Sequence, residues 1–176
     1  MSRLSVLVLS FAMASAAHAQ SSAPQPAKMV LAAALDTAKA QQKNVLVHFG
    51  ASCCTYCRQL DAMLESPELT KLFHDNYVIT HLTIQESPDK IALENPGAQE
   101  LATAAGAKGG IPIYIFFDSA GNRLATSMAM PDGGNIGHPV TPEEIAAFDG
   151  LLKKTAPRMT EAQRKQVSDY LKKQKK

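Results

Sequence analysis

Three short apolar runs punctuate the chain: Val45–Phe49, Tyr77–Ile84 and Ile111–Phe117. Each is rich in β-branched or aromatic residues and bounded by polar or turn-forming ones, which is the mark of a strand. Between them the apolar spacing becomes helical. Val30, Leu31, Ala34, Leu35 and Ala38 form one stripe over Lys28–Lys43, and Leu60, Met63 and Leu64 form another after Cys54. Ser66-Pro67-Glu68 reads as an N-cap, a first-position proline and a first-turn acid, opening a helix to about Asn76. Gln85–Pro96 is loop-like, and Ala98–Ala105 is a short helix ended by Gly106. Strands separated by helices predict parallel pairing. Asp118-Ser119-Ala120-Gly121-Asn122 predicts a hairpin turn into a partner strand over Arg123–Met130, which adds an antiparallel edge. After a glycine-rich loop over Pro131–Val140, two capping boxes, Thr141/Glu144 and Thr160/Gln163, open two further helices. The pattern is that of an α/β protein with a central mixed sheet flanked by helices.

The ends carry a different signal. Arg3 precedes an unbroken apolar and small-residue run, Leu4–Ala17, that is short for a bilayer span. Ala17-His18-Ala19 then supplies a small-x-small cleavage pattern, so residues 1–19 read as a signal peptide and 20–27 as a Ser/Ala/Pro/Gln linker. The alternative is an uncleaved N-terminal anchor. Cleavage removes one Arg and no acid, lowering the formal charge from +2 by one, which gives no reason to expect nucleic acid. The expected location is the bacterial periplasm, with no membrane insertion after cleavage. The domain is expected over 28–156, with a C-terminal helix and basic tail over 157–176.

All three cysteines lie between positions 53 and 57. A structural framework would spread them to close long loops. Clustered, they staple almost nothing, so the group is there for chemistry or for a metal. Cys54-Thr55-Tyr56-Cys57 is a C-x-x-C, and Cys53 stands directly before it.

The stretches "NVLVHFGASCCTYC" and "GGIPIYIFFDSAGN", with the element order around them, resemble the thioredoxin superfamily, and more narrowly its secreted bacterial members. The resemblance covers about Lys28–Met130. It implies a three-layer thioredoxin-like fold with both cysteines at an exposed helix start and a cis peptide bond before Pro112, facing them. It implies a thiol–disulfide oxidoreductase whose working group is the Cys54–Cys57 couple, with no separate cofactor. Ile111, Pro112 and Tyr56 are then expected to meet the substrate. Physical reasoning agrees on the roles. Cys54 at a helix N-terminus has free N–H groups and the positive dipole end beside it, which favours a thiolate. Cys57, one turn on, can close a disulfide or resolve a mixed one. An inert structural bridge is the alternative.

Three departures from the family pattern stand out. Cys53 replaces the bulky Trp that precedes the nucleophile. It is read either as a space filler or as a third redox partner, though a Cys53–Cys54 bridge is disfavoured. Neighbouring Cα atoms are about 3.8 Å apart, while disulfides prefer roughly 4.4–6.8 Å. His48 and His81 stand where the family often has a buried Asp and its Lys partner. His48 is expected either to accept the proton of Cys57 or to be a plain core histidine, with His81 as its strand neighbour. The x-x pair Thr55-Tyr56 and Ile111 before Pro112 favour a reductase or isomerase over an oxidase.

Expected partners are protein thiols and disulfides and a membrane-bound electron donor. A competing reading is a copper-binding chaperone on the same fold, using Cys53, Cys57 and a distant histidine such as His138. A third is a binding module that keeps only the fold. A structural zinc site is not expected, because no second C-x-x-C completes four ligands.

Overall fold

The computed structural model describes residues 23–174, and the leader expected over 1–19 lies outside them. Helix α1 (Ala27–Gln41) leads into β1 (Asn44–Gly50), followed by α2 (Thr55–Leu64), α3 (Thr70–Asn76) and β2 (Tyr77–Thr83). A single 3-10 turn (Ile91–Leu93) and α4 (Ala98–Ala104) precede the hairpin of β3 (Ile113–Phe117) and β4 (Arg123–Thr126). Helices α5 (Pro142–Thr155) and α6 (Glu161–Lys173) complete the chain, each opened by the capping box expected of it.

The sheet order is β2-β1-β3-β4, so β1 lies inside and is buried along almost its whole length. Strand alternation divides the core into two layers. Val45, Val47 and Phe49 of β1, with Ile113, Ile115 and Phe117 of β3, pack against Ala34 and Ala38 of α1 and Ala98 and Ala102 of α4. Leu46, Tyr114 and Phe116 face the other way, onto Leu60, Met63 and Leu64 of α2, Phe73 of α3, and residues of α5 and α6. Val167 and Leu171 bring α6 into this second layer. The architecture is a three-layer thioredoxin-like one.

Strand β1 pairs parallel with β2, as strands joined through helices should, but antiparallel with β3. The expectation of parallel pairing therefore fails for β3. The link from β2 returns to the end of the sheet it left, so β3 begins beside the C-terminal end of β1. This places Pro112 near the cysteines. A parallel β3 would start at the opposite end of the sheet.

Two smaller differences have local causes. Helix α3 begins at Thr70 rather than after Ser66. The Ser66 carbonyl accepts from the N–H groups of Leu69 and Thr70, which closes a turn before the helix axis is set. Strand β4 ends at Thr126 instead of Met130, and Ser127 turns inward, buried, with its hydroxyl accepting from the Tyr114 N–H at 3.2 Å. The hairpin turn is as expected. Asp118 accepts from the N–H groups of Ala120 and Asn122, and Gly121 takes the left-handed backbone (φ 86°) that the turn requires.

Candidate active site

Strand β1 ends at Gly50, and a turn closed by the Cys54 N–H on the Ala51 carbonyl (3.1 Å) delivers the chain to α2. Cys54 is the N-cap, and its sulfur accepts from the Cys57 N–H at 3.1 Å. The sulfur thus occupies the place of the usual capping oxygen, against one of the unpaired N–H groups of the first turn. Cys54 and Cys57 are joined by a disulfide, with their Cα atoms 5.2 Å apart. The pair is asymmetric: Cys54 is partly exposed, while Cys57 is 1% exposed.

Cys53 is a free, exposed thiol. It therefore fills no interior space in place of a ring. The turn that carries it is pinned from below: Glu86 accepts from the Ser52 N–H (2.6 Å) and hydroxyl (2.9 Å), and Arg58 donates to the Ser52 carbonyl (3.0 Å).

The Cys54 sulfur lies 3.7 Å from the Ile111 carbonyl oxygen, and the Ile111–Pro112 peptide bond is cis. A shallow groove continues from there, lined by Tyr56, Ile111, Pro112, Ile136, His138 and Glu144. Tyr56 stands out at 54% exposure. The loop after β4 forms the far wall. Asn135 holds it, donating to the carbonyls of Gly110 (2.7 Å) and Pro112 (2.9 Å). His138 is buried in that wall, with its Nδ1 unpartnered. Burial pulls the His138 pKa down, against the opposing charge of Glu144.

Beneath the pair, His48 faces α2 from β1 and is 1% exposed. Its register partner on β2 is His81, and the two rings sit 4.6 Å apart, tilted by 52°. His48 Nδ1 lies 2.8 Å from Asp61 Oδ1, yet neither ring nitrogen makes a hydrogen bond of good geometry. Burial raises the Asp61 pKa, but the contact with His48 and the charges of His48 and His81 outweigh it and hold the carboxyl below its usual range. His81 reaches solvent. Even so, desolvation first and the charge of His48 second lower its pKa, while Asp61 and the Gly50 carbonyl oppose them.

Gly50 closes this arrangement. A Cβ built there would lie 2.9 Å from Cys57 Sγ and 3.3 Å from His48 Nε2. The missing side chain is what leaves His48 Nε2 and Cys57 Sγ facing one small gap.

The fold thus brings Cys54, Ile111, Pro112 and Tyr56 to one rim and sets Cys57, His48 and His81 below it. Sequence reading missed Asp61, Gly50 and Asn135. Asp61 had a signal: it stands four residues after Cys57, on the same helix face. The copper set does not assemble. Cys57 is buried and bridged, and among the described residues the one group of three His, Cys or acidic ligand atoms in metal-binding range is His48, Asp61 and His81.

The pattern of the thioredoxin-like family matches residues 27–119, more than half of the chain, and the chain belongs to that family. A search of curated proteins finds no match. Among solved structures, the disulphide isomerase of Xylella fastidiosa Temecula1 is 23% identical, with 85% of this chain and 92% of that one covered and a TM-score of 0.49. A DsbH oxidoreductase is 23% identical over 77% of this chain and 86% of its own, with a TM-score of 0.47. The oxidised C-terminal domain of Neisseria meningitidis DsbD is also 23% identical, over 59% and 83%, with a TM-score of 0.39.

Proposed function

We propose that this chain is a thiol–disulfide oxidoreductase of reductase or isomerase type that exchanges disulfides with protein substrates through Cys54 and Cys57. The observation that carries the reading is the asymmetry of the pair: one sulfur at a helix N-terminus on an open rim, the other buried beneath it. In the reduced protein, the Cys54 thiolate attacks one sulfur of a substrate disulfide. A Cys54–substrate bond forms, the substrate bond breaks, and the released thiolate takes a proton from water. Cys57 then attacks Cys54 and frees the second substrate thiol. The substrate gains two electrons and the Cys54–Cys57 couple loses them.

His48 would take the Cys57 proton through Nε2, a role supported by the gap that Gly50 leaves between them. An extended substrate segment would lie along Ile111 and Pro112, with Tyr56 as an exposed contact. Cys53 is an accessory thiol outside the couple. The apolar run and the Ala17-His18-Ala19 pattern support export to the periplasm. There a membrane-bound dithiol donor would return the electrons. Among the described residues no helix is long and apolar enough to cross a membrane.

The test is an insulin-reduction assay with trapping. Cys57→Ser should accumulate mixed disulfides with client proteins and Cys54→Ser should not. Trapping by Cys54→Ser alone, or preferential alkylation of Cys57 at mildly acidic pH, would overturn the assignment.

A further inference from the structure

We propose that His48, Asp61 and His81 form a binding site for a divalent first-row transition metal, set beneath the cysteine pair and using none of its sulfurs. Three independent features converge there.

The first is proximity. One ligand atom from each residue lies within 4.8 Å of the other two. Zinc binds imidazole nitrogen and carboxylate oxygen at about 2.0–2.2 Å. Two ligands of one ion therefore stand at most about 4.4 Å apart, and small side-chain rotations close the difference. The backbone is already fixed, because His48 and His81 are register partners on two adjacent strands and Asp61 lies on the helix above them.

The second is the state of His48. It is 1% exposed, and both ring nitrogens lack a hydrogen-bond partner of good geometry. Nδ1 nevertheless lies 2.8 Å from Asp61 Oδ1. Ligation through Nδ1 would leave the ring proton on Nε2, so a loaded site would withhold the acceptor that His48 offers to Cys57 when the site is empty. An ion there would partner the buried nitrogen, whose isolation otherwise carries a desolvation penalty.

The third is the donor set. Two imidazoles and one carboxylate suit zinc, nickel, copper(II) or iron(II). Magnesium and calcium seek oxygen ligands, and copper(I) seeks sulfur. Asp61 is 45% exposed and His81 reaches solvent, so an ion can enter from the α2 side and keep a water as a further ligand.

The experiment uses the chain from Gln20 onward, stripped with chelator, exchanged into metal-free buffer and kept oxidised. Titration with Zn²⁺ by calorimetry should show one equivalent bound. Co²⁺ should give visible d–d bands without sulfur-to-cobalt charge transfer. His81→Ala and Asp61→Asn, at solvent-reaching positions, should each weaken Zn²⁺ binding by about 100-fold or more and remove the Co²⁺ bands. His74→Ala, an exposed histidine outside the site, should change neither. Binding should survive with Cys53, Cys54 and Cys57 all replaced by Ser, so the outcome does not depend on the thiol chemistry proposed above. No saturable binding overturns the proposal. So does binding indifferent to His81→Ala and Asp61→Asn, or binding lost with the cysteines.

Discussion

Replacing Gly50 with Ala tests the packing beneath the disulfide directly. The new Cβ would meet Cys57 Sγ at 2.9 Å, Cys57 Cβ at 3.0 Å and His48 Nε2 at 3.3 Å. None of these is a free side-chain end. Cys57 is held by α2 and by its bridge to Cys54, and His48 is held by the central strand. Overpacking of this kind costs about 1–3 kcal/mol. Gly50 does not use a positive φ, so Ala also brings a backbone-entropy gain of about 0.4–1 kcal/mol. The net loss in the oxidised protein should be about 0.5–2 kcal/mol, or a melting temperature lower by about 1–8 °C for a domain of this size. Reduction frees Cys57 Sγ to rotate away, so the reduced protein should lose less. A difference of about 1 kcal/mol between the two states moves the dithiol–disulfide equilibrium about fivefold toward the dithiol. Urea melts of both forms and equilibration against glutathione buffers measure these quantities. An oxidised Gly50→Ala protein as stable as the parent, with an unshifted redox equilibrium, would refute the account of the gap.

Three further outcomes follow from the site and the core. His48→Ala should slow insulin reduction by about 100-fold while leaving the rate of Cys54 alkylation nearly unchanged; equal loss in both, with a large fall in stability, would make His48 a core residue only. Cys53→Ser should change stability by no more than about 0.5 kcal/mol, because the thiol is exposed, and peptide mass mapping of the oxidised protein should find the Cys54–Cys57 bridge with Cys53 free; a dominant Cys53–Cys57 bridge would contradict this. Burial drives the Tyr77 and Tyr114 phenols well above their ordinary pKa, with the Thr155 contact opposing it for Tyr77 and the Glu144 charge adding to it for Tyr114. Their neutral forms are favoured by the fold, so that stability is complete below about pH 10 and falls as pH rises above it; in a protein carrying Tyr56→Phe and Tyr170→Phe, circular dichroism and phenolate absorbance should report unfolding and ionisation together, and separate transitions would count against the argument.

The elements were legible where a local rule decides them. The apolar runs became β1, β2 and β3, and both capping boxes opened helices at the expected threonines. The facing of His48 and His81 was legible as well, from the resemblance of their strands to the family. The direction of β3 was not, because composition does not record which end of the sheet a connection returns to. The far wall of the groove was hidden for a similar reason: Asn135 acts on carbonyls more than twenty residues away. Gly50 follows the Val45–Phe49 run with no signal of its own. Its meaning lies in the two side chains it lets face one gap, and only the packed structure supplies those.

The antiparallel placement of β3 builds the site from two distant parts of the chain. Ile111 follows Cys54 by 57 positions, so the wall beside the sulfurs exists only once β3 has docked along β1. The same strand gives Ile113, Ile115 and Phe117 to one core layer and Tyr114 and Phe116 to the other. A fragment stopped before Gly110 would therefore lose the core and the wall together, and the site cannot outlive the fold that frames it.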